Sequence, residues 1–261
     1  MIKLDKAQYA AAFDQYRTGK AFFPLIGAVL ADAQDGVVYA DDAATPSQVY
    51  VEHAFGFAQV FGRLDAAFEA GLQAYLLADK SFSAPKVRLY TPGLPIFLRQ
   101  PQFEPLRSLR QRFVIEDAGA FDARFKVLAA DGALTLAAVD RGNVTEIESA
   151  FSVIGRFWRS QADFIGQANA VVALYHGRPA AICYAAAVAD DRAEIDVLTL
   201  ADYRNRGTGK FAVMHFVKRC FACSLQPLWD CFANNEGSLQ LCRSVGFTAR
   251  GAPYPFFTLN R

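Results

Sequence analysis

Residues 192–217, "RAEIDVLTLADYRNRGTGKFAVMHFV", constrain the fold more than any other stretch of the chain. A strand-like run ends in a basic turn punctuated by Gly207 and Gly209, and apolar residues then recur at helical spacing: Val213, Met214, Val217 and Phe221. A strand that turns into a helix through glycine aims the helix's first amides, which lack intrahelical acceptors, at whatever lies beyond the strand end. An anion accepts those amides and is favoured by the helix dipole and by Arg204 or Arg206. The Thr208 hydroxyl adds a donor, and Lys210 can reach a phosphate. A surface turn with solvated arginines is the competing reading. The loop is too short for a Walker P-loop and lacks the third glycine of the dinucleotide fingerprint.

The elements around this corner order the second half. "TEIE" reads as a capping box, Thr145 with Glu148, that opens a helix through about Phe157. "AVVALYHG" and "RPAAICYAAAVADD" alternate as strands about a turn at His176 and Gly177, and "RAEIDVLTL" is a third. A helix from about Gly207 to Cys223, the strand "PLWDCFA", a helix from Glu236 to Val245 and a last strand near "PYPFFTL" follow. Antiparallel strands followed by strand, helix, strand, helix indicate a mixed α/β (α+β) domain with a parallel pair near its end.

The first half mixes both periods. "GVVYAD", "QVYVEHAF" and "PKVRLYTPG" read as strands, the last closed by Pro92 and Gly93, and "LDAAFEAGLQAYLLA" reads as a helix. From Pro95 to Phe113 the chain reads as proline-punctuated and then helical, with Arg99, Arg107, Arg110 and Arg112 against Glu104. An exposed helix face accounts for that basic run better than an RNA surface. "AADGALTLAAVDRGN", with turns at Asp131–Gly132 and Gly142–Asn143, reads as a connector, which sets the expected domains at 1–140 and 141–261. "KAFFPLIGAVLADA" has the superficial look of an export segment, but its lead carries Asp5 and Asp14 and reads as an amphipathic helix.

Charge is nearly balanced, with 27 Lys and Arg against 26 Asp and Glu, so no global field draws the chain to nucleic acid or an anionic membrane. No apolar run reaches the roughly 20 residues that span a bilayer. The five cysteines form an odd set, which reads as reduced thiols in a cytoplasmic protein. Cys220-x-x-Cys223 has the wrong spacing to Cys231 and Cys242 for a usual zinc module, so no metal is expected.

The turn Arg204, Gly207, Gly209 with its flanks resembles motif A of the GCN5-related N-acetyltransferase (GNAT) superfamily, and "NEGSLQLCRSVGF" resembles its motif B. The likeness covers about 145–250. "PLWDCFANNEGS" and "EIDVLT" look closer to the zwittermicin A resistance branch, in which a divergent first half, itself acetyltransferase-like, precedes the active one. The resemblance implies a GNAT fold in 141–261, a mostly antiparallel sheet with a splayed parallel pair, preceded by a degenerate GNAT-like domain. It implies acetyl-CoA as co-substrate, with the amides of 206–210 on its pyrophosphate. Main-chain groups around Leu198, Thr199 and Leu200 would pair with the pantetheine, Asn235 at the end of the next strand would hydrogen-bond the cofactor near it, and Ser238 lies on the cofactor side of the helix that follows. The implied activity is N-acetyl transfer to a primary amine of a small molecule or peptide, with a homodimer as the assembly to test. The alternative is a non-catalytic acyl-CoA-binding or assembly protein.

Acyl transfer to an amine needs a base for the amine and a proton for the departing thiolate. Glu194 and Asp196 lie two apart on the incoming strand and share a face; the resemblance places Glu194 within about one residue of a base kept by several members. Cys242 stands where many members have a tyrosine. It is either a proton donor or a small core residue.

Overall fold

The computed structural model describes residues 1–19, 21–91, 93–127 and 132–261, with the backbone alone at 127. They fall into two compact units: Met1–Arg110 with Pro253–Arg261, and Gln111–Ala252. This division lies away from the expected 140/141 boundary, because the connector holds a strand and the chain's last strand returns to the first unit. The turns expected at Pro92 and Asp131 lie outside the described residues.

The first unit runs β1 (Ile2–Lys3), α1 (Tyr9–Arg17), α2 (Pro24–Leu30), β2 (Gly36–Ala40), β3 (Gln48–His53), β4 (Phe57–Gly62), α3 (Ala66–Gln73), β5 (Lys86–Tyr90) and the first half of β6 (Arg107–Val114). Every residue of α2 is buried, so the apolar run that resembles an export segment is a core helix. Its Pro24 sits at N1, where the missing N–H is no loss. β2, β3 and β4 form an antiparallel meander, and β5 pairs with β4 in parallel through Phe57↔Arg88, Ala58↔Leu89 and Gln59↔Tyr90. Tyr50, Phe68, Leu72, Leu76, Phe82 and Leu89 fill the core between this sheet and α3.

The second unit contains α4 (Ala118–Val127), β7 (Leu134–Ala138), α5 (Val144–Phe151), α6 (Ile154–Phe157), α7 (Gln161–Gln167), β8 (Val171–Tyr175), β9 (Arg178–Ala189), β10 (Arg192–Thr199), α8 (Thr208–Ala222), β11 (Gln226–Phe232), α9 (Glu236–Val245) and β12 (Thr248–Ala249). β7 to β10 pair antiparallel in sequence order, and β11 joins β10 in parallel. The alanines of β9 bring α8 close: Ala181, Cys183 and Ala185 share a core with Val213, Phe216, Val217 and Cys220. The chain ends in β13 (Tyr254–Asn260), which pairs with β5 and with the start of β6 in the first unit. Each unit therefore has helices, an antiparallel meander, a helix and a parallel strand in the same order.

Three local readings change. Arg107–Val114 is a strand and not a helix, because it finds partners on β13 and β12 that outweigh local helix propensity. Its Arg110 is buried with the guanidinium 5.0 Å from the Phe256 ring centre, so the basic run makes no continuous face. "LTLAA" is β7 and not connector. The helix at 144 has Asn143 at its N-cap position without a side-chain capping bond and ends at Ser152 in left-handed backbone; Glu148 accepts from Val153 N and Ile154 N and so caps α6 instead of closing a box with Thr145. Among the described residues no helix is long and apolar enough to cross a membrane.

Candidate functional site

β10 and β11 pair through Arg192↔Gln226, Ala193↔Pro227 and Glu194↔Leu228, and no further. β10 continues to Thr199 and β11 to Phe232, so the two strands part beyond Glu194 and leave one edge of β10 open. On its other edge β10 stays paired with β9 out to Thr199↔Ala181, across an irregularity at Glu194/Ile195 where Ala186 is the extra residue. Leu200 N donates to Ala180 O at 3.0 Å. Backbone groups alternate sides along a strand, so Leu198 and Leu200 face β9 while Val197 and Thr199 face the open edge. Of the expected Leu198, Thr199 and Leu200, only Thr199 presents its backbone groups to the open edge, and Val197, which sequence reading did not name, does so too.

The strand ends in the turn 200–207. Gly207 caps α8 at φ +77°, a conformation glycine adopts without strain, and nothing lies within 4 Å of where a side chain would start. The first helical bond runs from Phe211 N to Gly207 O, which leaves the amides of Thr208, Gly209 and Lys210 ahead of it. Arg204 and Arg206 are exposed, and Arg206 lies over the Tyr175 ring at 5.4 Å. Thr208 departs from expectation: its hydroxyl is buried and donates to Tyr203 O at 3.0 Å, so it closes the turn. Gly209 serves packing, since a Cβ there would lie 2.7 Å from Thr199 Oγ1. Lys210 is half-buried in the first turn of α8.

Ala193, Ile195 and Val197 face the core under α8, so Glu194 and Asp196 project from the opposite face of the sheet. Glu194 is buried at the point where the strands part. Asp196 is already engaged: Tyr184 OH donates to it at 2.6 Å and the Arg156 guanidinium sits 3.1 Å away. Burial first and Asp196 second hold the Tyr184 hydroxyl far above the usual phenol range, so it stays a donor. Tyr184, Arg156 and Trp158, whose Nε1 donates to Ala185 O, were not anticipated. Tyr184 was findable as the one large side chain in the alanine run of β9.

On α9 the expected cluster separates. Asn235 caps the helix, its Oδ1 accepting from Ser238 N at 3.1 Å, and its side-chain amide group is left to donate outward. The Ser238 hydroxyl pairs with Trp229 Nε1 at 3.0 Å. Cys242 is fully buried, and burial, then Cys231, push its thiol up to about 12. Nor do the Cys-x-x-Cys thiols converge: Cys220 lies in the core and Cys223 is exposed.

A family model described as GNAT acetyltransferase matches residues 23–257. A protein called "Uncharacterized N-acetyltransferase YdfB" from Bacillus subtilis is 28% identical over 91 residues, a stretch that spans 35% of this chain and 35% of that protein. A GCN5-related N-acetyltransferase-like protein from Streptococcus suis superposes with TM-score 0.70 at 17% identity, over 98% of this chain and 100% of the other. A tandem GNAT protein from the clavulanic acid biosynthesis pathway does so with TM-score 0.63 at 10% identity, over 98% and 95%. At these identities the two structures bear on the fold alone. None of these matches supports the narrower likeness to the zwittermicin A resistance branch. The family match takes in both units, including the half in which no motif was legible: this chain belongs to the GNAT acetyltransferase family.

Proposed function

We propose that the second unit binds acetyl-CoA in the opening between β10 and β11 and transfers its acetyl group to a primary amine of a small molecule or peptide by direct attack. The observation that carries this reading is the parallel ladder that stops at Glu194↔Leu228 while β10 runs on to a glycine-capped helix end flanked by exposed arginines. Acetyl-CoA would supply the activated thioester. The amides of 208–210 and the Arg204 and Arg206 guanidiniums would hold its pyrophosphate. Val197 and Thr199 would pair with its amide-bearing arm, and Asn235 would donate from the head of α9. Glu194 would take the amine's proton, directly or through one water. Asp196, held by Tyr184 and Arg156, would shape the acceptor side. Cys242 would act as a core residue: a thiol this enclosed and this weakly acidic is a poor proton donor.

Gly207→Asp tests the reading. It places a carboxylate where the pyrophosphate belongs, and CoA affinity in calorimetry should fall by roughly 100-fold or more while the fold persists. Unchanged affinity would sink the assignment. The enclosed Cys242 favours a second reading, a CoA-binding protein without turnover. A CoA-release assay across small amines, polyamines, aminoglycosides and peptide N-termini separates the two, since a binder is stabilised thermally by CoA yet releases none.

A further inference from the structure

The two arginines that lead into α8 are not equivalent. Arg204 is exposed and makes no ion pair or ring contact among the described residues. Arg206 is exposed too, but its guanidinium carbon lies over the Tyr175 ring, 5.4 Å from the centre. Tyr175 is the last residue of β8 and shares a face with Val171 and Ala173, which pack under α8. Two more rings flank it, His176 at 4.5 Å and Tyr203 at 5.8 Å. Tyr203 belongs to the turn itself, since its carbonyl accepts from the Thr208 hydroxyl at the start of α8. The Tyr175 ring is therefore a half-buried platform beside the amides that head this helix.

Stacking engages the flat face of a guanidinium and leaves the N–H groups along its edge, so one arginine can rest on a ring and bind a phosphate oxygen at the same time. No carboxylate pairs with Arg206 among the described residues, and its charge is left for a ligand. A long side chain ordered only on binding forfeits its rotamer freedom at that moment. Arg206 has given up part of that freedom beforehand, whereas Arg204 has not. The Tyr175 hydroxyl makes no hydrogen bond among the described residues, so the ring face is what engages the turn.

We infer that Tyr175 is a positioning residue for cofactor binding: it holds Arg206 ready for a phosphate and makes Arg206, ahead of the motif's Arg204, the stronger phosphate-binding arginine. This role rests on the acetyl-CoA reading, and it falls to a strand that lies two places from β10 in the sheet.

Calorimetry with CoA on the full chain tests it through a double-mutant cycle. Arg206→Gln should weaken CoA about tenfold, the scale of a lost hydrogen bond between charged groups, and Arg204→Gln about threefold. Tyr175→Leu should weaken CoA about threefold, the scale of one cation–π contact, and Tyr175→Phe, which keeps the ring face, should restore the original affinity. In an Arg206→Gln background Tyr175→Leu should have no further effect, whereas a loss of packing alone would weaken CoA in either background. Both arginines are exposed, so their ranking is measured on folded protein whatever Tyr175→Leu does to stability. No saturable heat with the unsubstituted chain would overturn the acetyl-CoA reading and this role with it. Where CoA binds, the role alone is overturned if Arg204→Gln costs as much as Arg206→Gln, if Tyr175→Phe binds as poorly as Tyr175→Leu, or if the effects of Tyr175→Leu and Arg206→Gln multiply.

Discussion

The chain builds the same corner twice, and the two copies differ at the positions where chemistry would be done. In the second unit the last parallel pair is Glu194↔Leu228; in the first it is Gln59↔Tyr90. A carboxylate in one therefore stands where the other has an amide, and Gln59 is locked by the Tyr16 hydroxyl and by Ala21 O. Two residues on, Asp196 answers to Phe61. At the helix caps, Gly207 answers to Asp65, an open end against one closed by its own acid. One residue past the first helical position, Gly209 answers to Ala67. The shared architecture positions a strand opening, and on the reading proposed above a handful of side chains would decide whether it receives a phosphorylated thioester.

Copying the first unit into the second should have its largest effect at the proposed base, Glu194. Glu194→Gln reproduces Gln59 and should lower turnover by about 100- to 10,000-fold with CoA affinity unchanged, as CoA-release kinetics and calorimetry would read. Retained turnover would assign proton removal to solvent and leave the two openings equivalent at this position.

The next effect is read in the first unit and appears with pH. His53 is buried, its Nδ1 accepting from Phe55 N at 2.9 Å and its Nε2 facing Gln34 Oε1 at 3.1 Å, and burial lowers it to about 4. Its folded value lies below the unfolded ~6.5, so the stability it contributes is present above pH 6.5 and is lost as pH falls towards 4, up to about 3 kcal/mol. Neighbouring Glu52, buried beneath the Tyr50 and Tyr75 hydroxyls, is shifted upward by burial and has the opposite sign: its contribution is present at low pH and fades as pH rises through its raised value. Hydrogen exchange resolved by unit should show acid weakening in the first, steeper in Glu52→Gln, where the opposing group is gone.

How much of this was readable depends on whether the determining contact is local. The corner at 192–222 was legible because a strand, a left-handed glycine and an amphipathic helix each leave a mark within a few residues. Motif B was legible for the same reason. Arg107–Val114 was not, since it becomes a strand only by pairing with residues over a hundred positions away, and "LTLAA" likewise needs β8. Thr208 was misjudged, and Cys242 was left between two roles, for a different cause: the residue type fits the chemistry, but its polar atom is turned inward, and one-dimensional spacing does not encode that direction. The likeness of the two halves rests on pairing register, with no shared motif to announce it.

A smaller change copies Ala67 into the second unit. Gly209→Ala sets a Cβ 2.7 Å from Thr199 Oγ1, and relieving that overlap should cost about 1–3 kcal/mol, read by denaturant melts followed through exchange in α8. Because the helix end must also draw back from the strand, CoA should bind more weakly. Adding Thr199→Ala should restore both. Recovery of neither would mean that Gly209 contributes its backbone to the ligand and not only its lack of a side chain to the packing.

The smallest change runs the other way. Asp65→Ala uncaps α3 and removes a partner of Gln48, which should cost about 1 kcal/mol and speed exchange in the first turn of that helix. It should not create CoA binding in a Gly207→Asp background, because the approach at 63–65 lacks the longer turn, the capping glycine and the second arginine that 200–207 provide. Calorimetry with CoA on the double variant decides the matter. Heat appearing there would show that a single carboxylate closes the first opening to phosphate, and that the rest of the corner is still able to hold one.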